Sequence, residues 1–541
     1  MARESGIKKL ALTNGNILTI DEEDTVVSAI FIAGDRIVSV GSDDEILRQA
    51  ADGVEVIDLD GKTVVPGFVD CHAHPMGFGE SLLAVNCRTP PMRSIGNIVE
   101  GVRRAAEEKS EGEWIFGRGY DDFKLEEKRN PNRWDLDMAA PNNPVLIMRL
   151  CGHVIVANSL ALKLAGISKD TKDPEGGEID RDPETGEPTG VLRGGAMVPL
   201  GEIIPPTSFE NLKRGIKLSS DEFLARGVTS VSDAGVGSPL NVKAYMAAKE
   251  EGMPLRVNMM MSRGLLEHLK NLGLETGFGG EGLRIGAIKM VFDGSFSGRT
   301  AAMTKPFVDT PENSGILYMT QEELDEGVRV SHEAGFHVGV HAIGDRAISG
   351  VLDAYEKTLA EKPNHDHRFR IEHCGINSPE IVARIKKMGV IPVPQPIFLY
   401  GEGESYRAGL EPGNLKWAYP FKAWLDAGIT VAMSSDCPAT SGEELISPLL
   451  GIYVAVNRKT DAGQELGPEQ RVTVEEALRA YTMGGAYATF EEEDKGSIEP
   501  GKLADLAVLS RDPTQVDTEE IKDIEVEMTI VGGRVEYMKP S

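Results

Sequence analysis

Thr63–Pro75 reads T-V-V-P-G-F-V-D-C-H-A-H-P. A short β-prone run enters Pro66-Gly67, and a second run ends in His72-Ala73-His74. Strand side chains alternate with period two, so His72 and His74 project to the same side. Two imidazoles so placed chelate one divalent cation, or they form a polar strand end facing water. Outward from this stretch, seven more apolar, β-rich runs follow, making eight with Val64–Asp70: Val228–Asp233, Leu255–Met261, Leu283–Phe292, Phe336–His341, Phe369–His373, Val390–Val393 and Ile429–Ser434. Helical patterns intervene at Phe209–Arg226, Gln321–Ala334, Ala347–Glu361 and Pro379–Met388. Near-continuous apolar runs are expected of parallel strands buried on both faces. The pattern predicts a (β/α)8 TIM barrel, an α/β fold whose chemistry sits at the C-terminal strand ends.

The two ends of the chain have another rhythm. Residues 8–60 hold short runs separated by turn formers such as Asn14-Gly15, Gly34-Asp35 and Asp60-Gly61, the pattern of a small antiparallel module. The last fifty residues repeat it, with Val526–Val531 and Arg534–Tyr537 joined by Gly532-Gly533 as a hairpin. Neither end covers both faces of a sheet alone, so the expectation is a composite β-sandwich from residues 1–65 and 495–541. Residues 66–494 then form the barrel. Residues 76–214 are too long for a loop and carry strand runs at Trp114–Tyr120 and Pro144–Leu150, a helix near Asn158–Leu164 and a turn-rich surface hairpin at 170–190. They read as a subdomain inserted after strand one, placed to act as a lid or substrate wall.

At 541 residues the chain exceeds one compact core. Its 41% hydrophobic content fits a globular protein. A formal charge of −28 argues against nucleic acid as a partner, because phosphates need a basic face. No apolar run is long enough to span a membrane, and the N-terminus lacks a signal-peptide core. Five scattered cysteines without a C-x-x-C fit reduced thiols and a cytoplasmic location. Cys71, Cys374 and Cys437 neighbour candidate ligands and should pack away from the barrel axis. A small-molecule substrate is expected, and barrels of this size often form homodimers.

The strand ends supply the chemistry. Lys289 lies within the apolar run of strand four, and two readings compete for it. It is a lysine whose head reaches the strand end, or burial lowers its pKa so that the neutral amine takes up CO2 as a metal-bridging carbamate. By the residues alone the first is simpler. His341 ends strand five, His373 ends strand six, and Asp436 follows strand eight as a metal ligand, a general base, or both. His365 and His367 repeat the H-x-H spacing but precede strand six, so they read as a solvated loop on the opposite face. Nitrogen and oxygen ligands of this mix suit Zn2+, one or two per chain.

The motifs P-G-F-V-D-C-H-A-H, I-K-M-V-F-D-G-S-F-S-G-R-T-A, V-H-A-I-G-D-R-A-I, R-I-E-H-C and S-S-D-C-P resemble those of the amidohydrolase superfamily, in the amidohydrolase-3 branch that includes N-substituted formamide deformylases. The resemblance extends over nearly the whole chain. It implies that His72 and His74 bind the more buried metal, that carboxylated Lys289 bridges, that His341 and His373 bind a second metal, and that Asp436 completes the site. It also implies that His153 lies near substrate, with Asp293 and Arg299 as further substrate-facing candidates. One departure is Gly194, where the branch often carries Glu after G-V-L-R. The implied activity is hydrolysis of a non-peptide C–N bond, of the amide or formamide type, by a metal-bound hydroxide with Asp436 as proton shuttle. The alternatives are a mononuclear aminohydrolase that releases ammonia from a ring, and a non-catalytic scaffold. The second is disfavoured because all six ligand residues are present.

Overall fold

The computed structural model describes residues 8–50, 53–89, 91–149, 154–174, 176–438 and 446–540. Seven parallel strands form the barrel wall: β1 (Phe68–Ala73), β2 (Val228–Val236), β3 (Arg256–Ser262), β4 (Leu283–Val291), β5 (Val338–Ala342), β6 (Arg370–His373) and β7 (Ile391–Val393). Each pairs in parallel with its sequence neighbour. The eighth run, expected as a strand at Ile429–Ser434, is irregular. It still closes the barrel. Ala432 N donates to Pro392 O at 3.2 Å and Ser434 N to Pro394 O at 3.1 Å, while Asp436 N donates to His72 O at 2.7 Å. The neighbouring segment Ile391-Pro392-Val393-Pro394 explains the irregularity, since two of its four residues have no N–H to donate back.

The expected first strand, Val64–Asp70, is two strands. Thr63–Pro66 belongs to a six-stranded sheet and β1 to the barrel. Gly67 makes the crossing. Its N–H donates to Asp505 O at 2.8 Å, and a Cβ there would lie 2.3 Å from Thr229 Oγ1. No larger residue fits so close to β2.

The six-stranded sheet joins both ends of the chain, in the order Arg534–Met538, Val526–Val531, Leu506–Leu509, Thr63–Pro66, Asn16–Leu18, Val26–Val27. A four-stranded sheet from residues 9–58 accompanies it. Leu10, Leu12, Ile30, Ile32, Val64, Leu506, Val508 and Ile530 share one buried core. Burying each such side chain contributes about 1.5–3 kcal/mol, and neither end holds enough of them alone. The two ends therefore form a β-sandwich beside the TIM barrel.

Barrel and sandwich belong to one compact unit, and residues 76–218 form another. The second unit has its own six-stranded sheet, in the order Gly177–Arg181, Pro188–Gly194, Val154–Ala157, Val145–Arg149, Ile115–Tyr120, Val85–Asn86. The hairpin expected at the surface is part of that sheet, with Ile179 and Leu192 in its core. Among the described residues no helix is long and apolar enough to cross a membrane.

The lower end of the barrel holds a buried ion pair. Lys495 Nζ lies 2.8 Å from Glu491 Oε2 and donates to Ser230 Oγ at 2.9 Å; Arg284 Nη1 lies 3.4 Å from Glu491 Oε1. Burial opposes the charge on Glu491, but Lys495 and Arg284 outweigh it and lower its pKa. A lowered carboxylate stabilises the fold fully above its unfolded value, about 4.3, and that contribution is lost as pH falls through the lower folded value. Glu491→Gln leaves Lys495 buried without its counter-ion and is expected to cost about 3–5 kcal/mol. Urea unfolding from pH 3 to 7 checks this: the deficit should be full at pH 7 and shrink below about pH 4.

Candidate metal centre

Six residues from five segments of the barrel meet at its C-terminal mouth. His72, fully buried, is the penultimate residue of β1, and His74 follows two residues on. His74 Nε2 lies 3.1 Å and His72 Nε2 3.4 Å from Asp436 Oδ1. Lys289 Nζ of β4 is 3.1 Å from His72 Nε2. The rings of His341 and His373 are 4.3 Å apart, and those of His72 and His373 4.8 Å. All six expected ligands are thus gathered in one place. Two of them depart from strand geometry: His373 has φ 68° and Asp436 φ 53°. Such left-handed conformations at non-glycine residues concentrate at functional sites.

The donor set fits a divalent cation. Ligand atoms of His72, His74 and Asp436 all lie within 4.8 Å of one another. Asp436 Oδ1 is buried yet accepts no well-formed hydrogen bond, although two imidazole nitrogens face it. Burial opposes ionisation of Asp436, but His72, His74 and His373 outweigh it and hold the carboxyl well below its usual range. Burial, with Lys289 adding to it, lowers the pKa of His72 far below normal and that of His341 to about 4. Burial and His341 do the same for His373. His74 goes the other way: burial opposes its charge, but Asp436 outweighs it and raises its pKa. Neutral imidazoles with a free lone pair are the ligand form, and His72, His341 and His373 are held in it.

Three residues behind the ligands were not expected. His72 Nδ1 is 2.5 Å from Glu372 Oε2. Arg370 Nε donates to Glu372 Oε1 at 2.6 Å and Arg370 Nη2 to Glu372 Oε2 at 2.8 Å, with both side chains fully buried. Burial opposes the charge on Glu372, and Arg370 outweighs it, so the carboxyl is lowered. An ionised Glu372 accepts a hydrogen bond from Nδ1–H and leaves His72 Nε2 free toward the mouth. The amide of Gln395 does the same for His373, accepting from Nδ1 at 2.6 Å. Gln395 is itself fixed by Nε2 donating to Val393 O and Ser434 Oγ. His341 Nε2 faces Gly294 O at 3.2 Å, which leaves Nδ1.

The two substrate-facing candidates, Asp293 and Arg299, both have partners within the protein. Asp293 is fully buried, and its carboxylate accepts the N–H groups of Ala302, Ile343 and Gly344 at 2.8–2.9 Å. Its role is to fold the loop after β4 against the end of β5, with His341 Nε2 3.5 Å away. Arg299 is used within the protein, with Nε donating to Asp309 Oδ1 at 2.9 Å and Nη1 to Ser405 Oγ at 2.7 Å. It ties that loop to the segment after β7. His153 lies outside the described residues. His367 is corrected: it is buried, accepts from Phe369 N at 2.9 Å and bonds Met388 O at 2.8 Å. Cys71, Cys374 and Cys437 are buried. Burial pushes Cys71 up to about 12, which makes it packing and no nucleophile.

Residues 55–537 match the model of the amidohydrolase family. The chain belongs to that family. Among amidohydrolase relatives, an N-substituted formamide deformylase of Arthrobacter pascens is 33% identical over 548 residues, 98% of each chain. Protein LONG AFTER FAR-RED 3 of Arabidopsis thaliana is 32% identical over 546 residues, 98% of this chain and 92% of that one. The crystal structure of an uncharacterized metal-dependent hydrolase from Pyrococcus furiosus superposes with a TM-score of 0.78 at 33% identity, covering 94% of this chain and all of that one. The protein is an amidohydrolase acting on carbon–nitrogen bonds other than peptide bonds, in a metal-dependent family with a candidate group at His72, His74 and Asp436.

Proposed function

We propose that the protein hydrolyses a small-molecule amide or N-substituted formamide, with Asp436 as proton shuttle. The observation that carries this reading is the buried, unsatisfied Oδ1 of Asp436 among the imidazoles of His72, His74 and His373. A zinc-type ion held by these residues would lower the pKa of a water from 15.7 to roughly 7 and polarise the scissile carbonyl. His72 and His373, steered by Glu372 and Gln395, present Nε2 as ligands. Asp436 takes the proton of the attacking water and passes it to the leaving nitrogen, because an amide anion cannot leave unprotonated.

Lys289 is proposed as a bridging ligand in carbamate form. Burial lowers its ammonium to about 8, against the opposing pull of Glu372 and Asp436. Near pH 8 a substantial fraction is then the neutral amine, which adds CO2 and releases one proton. The likeness to the Arthrobacter pascens deformylase over the whole chain supports the formamide substrate class.

Zinc-loaded protein assayed on N-formyl, N-acyl and cyclic amides should release a carboxylic acid and an amine, formate from the formamides. Metal analysis should find two ions per chain when bicarbonate is present during loading, and one fewer in Lys289→Ala. Ammonia released from a ring by a protein with one metal and a free Lys289 would establish the deaminase alternative instead.

A further inference from the structure

Immediately after β7 the chain forms two short helices, α1 (Pro396–Gly401) and α2 (Gly403–Gly409), with Glu402 at their junction. The ring of Phe398 stacks on that of His373, with centroids 5.8 Å apart and planes at 13°. Glu402 follows Phe398 by four residues, and Glu402 N donates to Phe398 O at 2.9 Å. Residues four apart lie on one helix face, so Glu402 is set one turn further out on the face that covers the metal centre. The hydroxyls of Tyr406 and Tyr419, in the segments that follow, bond each other at 3.2 Å. Tyr406 stacks on Phe296 at 4.4 Å and Tyr419 meets Phe398 edge-on at 6.5 Å.

Glu402 itself is half-buried, and the Ser297 hydroxyl is its hydrogen-bonding neighbour. Among the described residues no lysine, arginine or histidine pairs with it. Arg299, which reaches the adjacent Ser405, is already engaged by Asp309. A carboxylate taken from water without a counter-ion is costly, and nothing in the fold requires this one. The −28 charge of the chain adds a field that draws cations and repels anions.

We infer that Glu402 is a specificity-determining residue that pairs with a cationic nitrogen of the substrate, so that the preferred substrates are amides or formamides bearing an ammonium group a few bonds from the scissile carbonyl. The inference rests on the hydrolytic reading above and names its substrate class. Phe398, stacked on His373, is the apolar neighbour for the alkyl segment between the two groups.

The test compares short N-(ω-aminoalkyl)formamides with N-alkylformamides of matched length on zinc-loaded protein. Wild type should prefer the ammonium member by about tenfold or more in kcat/KM, the size of one charge-assisted hydrogen bond. Glu402→Gln should bring the pair close to parity, Glu402→Asp should restore part of the preference, and Glu402→Lys should shift it toward N-formyl amino acids. No preference in wild type, or the same preference in Glu402→Gln, overturns the inference. If neither formamide is hydrolysed, the bond assignment fails separately, and calorimetric binding of the same pairs decides. Glu402-dependent preference for the ammonium member upholds the inference, whereas equal binding, or none, overturns it.

Discussion

Asp436→Asn is expected to lower kcat by about 10²–10⁴-fold with metal content near that of wild type. Asparagine keeps an oxygen where Asp436 Oδ1 faces His74 and His72 at 3.1 and 3.4 Å, so the imidazoles and one oxygen donor remain. It cannot accept the proton of the attacking water or carry it to the leaving nitrogen. A ligand-only role would give the opposite pattern, with metal loss tracking activity loss. The two roles separate by measuring bound zinc and single-turnover rates on the same sample. Full activity in Asp436→Asn would eliminate Asp436 as the shuttle. The pH dependence carries a further sign. Asp436 is held well below the ordinary carboxylate range, so its own protonation should not shape the rate between pH 5 and 9.

Glu372→Gln is expected to weaken metal retention about 10–100-fold, the usual cost of losing a carboxylate behind a ligating histidine. Glutamine is nearly isosteric, so packing beside Gly339, where a Cβ would sit 2.6 Å from Glu372 Oε1, is undisturbed. Two things change. His72 loses the ionised acceptor that holds its Nδ1 proton, and Arg370 keeps a buried charge with no counter-ion. The second effect predicts a stability loss of about 3–5 kcal/mol, read by urea unfolding of the metal-free protein. Competition with a zinc chelator reads the first. Glu372→Asp should recover much of the stability, since charge returns to Arg370, and less of the affinity, since the shorter arm does not reach His72. Unchanged chelator competition in Glu372→Gln would show that the 2.5 Å contact plays no part in metal binding.

The sequence discloses the candidate ligands and hides their supports, and particular residues show why. His72, His74, Lys289, His341 and Asp436 are legible because each ends or follows an apolar run, and the barrel converts strand ends into neighbours. Glu372 is not legible, because it precedes His373 and strand alternation sends consecutive residues to opposite faces. The left-handed φ of His373 breaks that alternation and lets both face inward, and a backbone angle leaves no mark in composition. Asp293 carries the same strand-end signal as Asp436 and yet serves the loop, since only the path of residues 293–302 reveals the three N–H groups it meets. Glu402 sits in G-E-G-E-S, a stretch that reads as exposed loop until Phe398 is seen against His373. Strand eight escaped as a regular strand because its partner is Ile-Pro-Val-Pro. In each case the missing information is a long-range contact, which period and polarity do not encode.

The seam between the first and last barrel segments gives the centre a second role, in assembly. Ser435 and Asp70 are bonded across 365 positions of sequence, and only a few backbone bonds join the two lips. A closure that distant forms late, because loop entropy must be met before its contacts compensate. His72 and His74 stand on one lip and Asp436 on the other, so an ion bound by all three fastens the join like a clasp. Metal-free protein should therefore breathe along this line first, with the amides of His74 and Asp436 exchanging hydrogen while the β3–β5 wall stays protected. Capture of the ion would then reinforce the backbone bonds that already complete the cylinder.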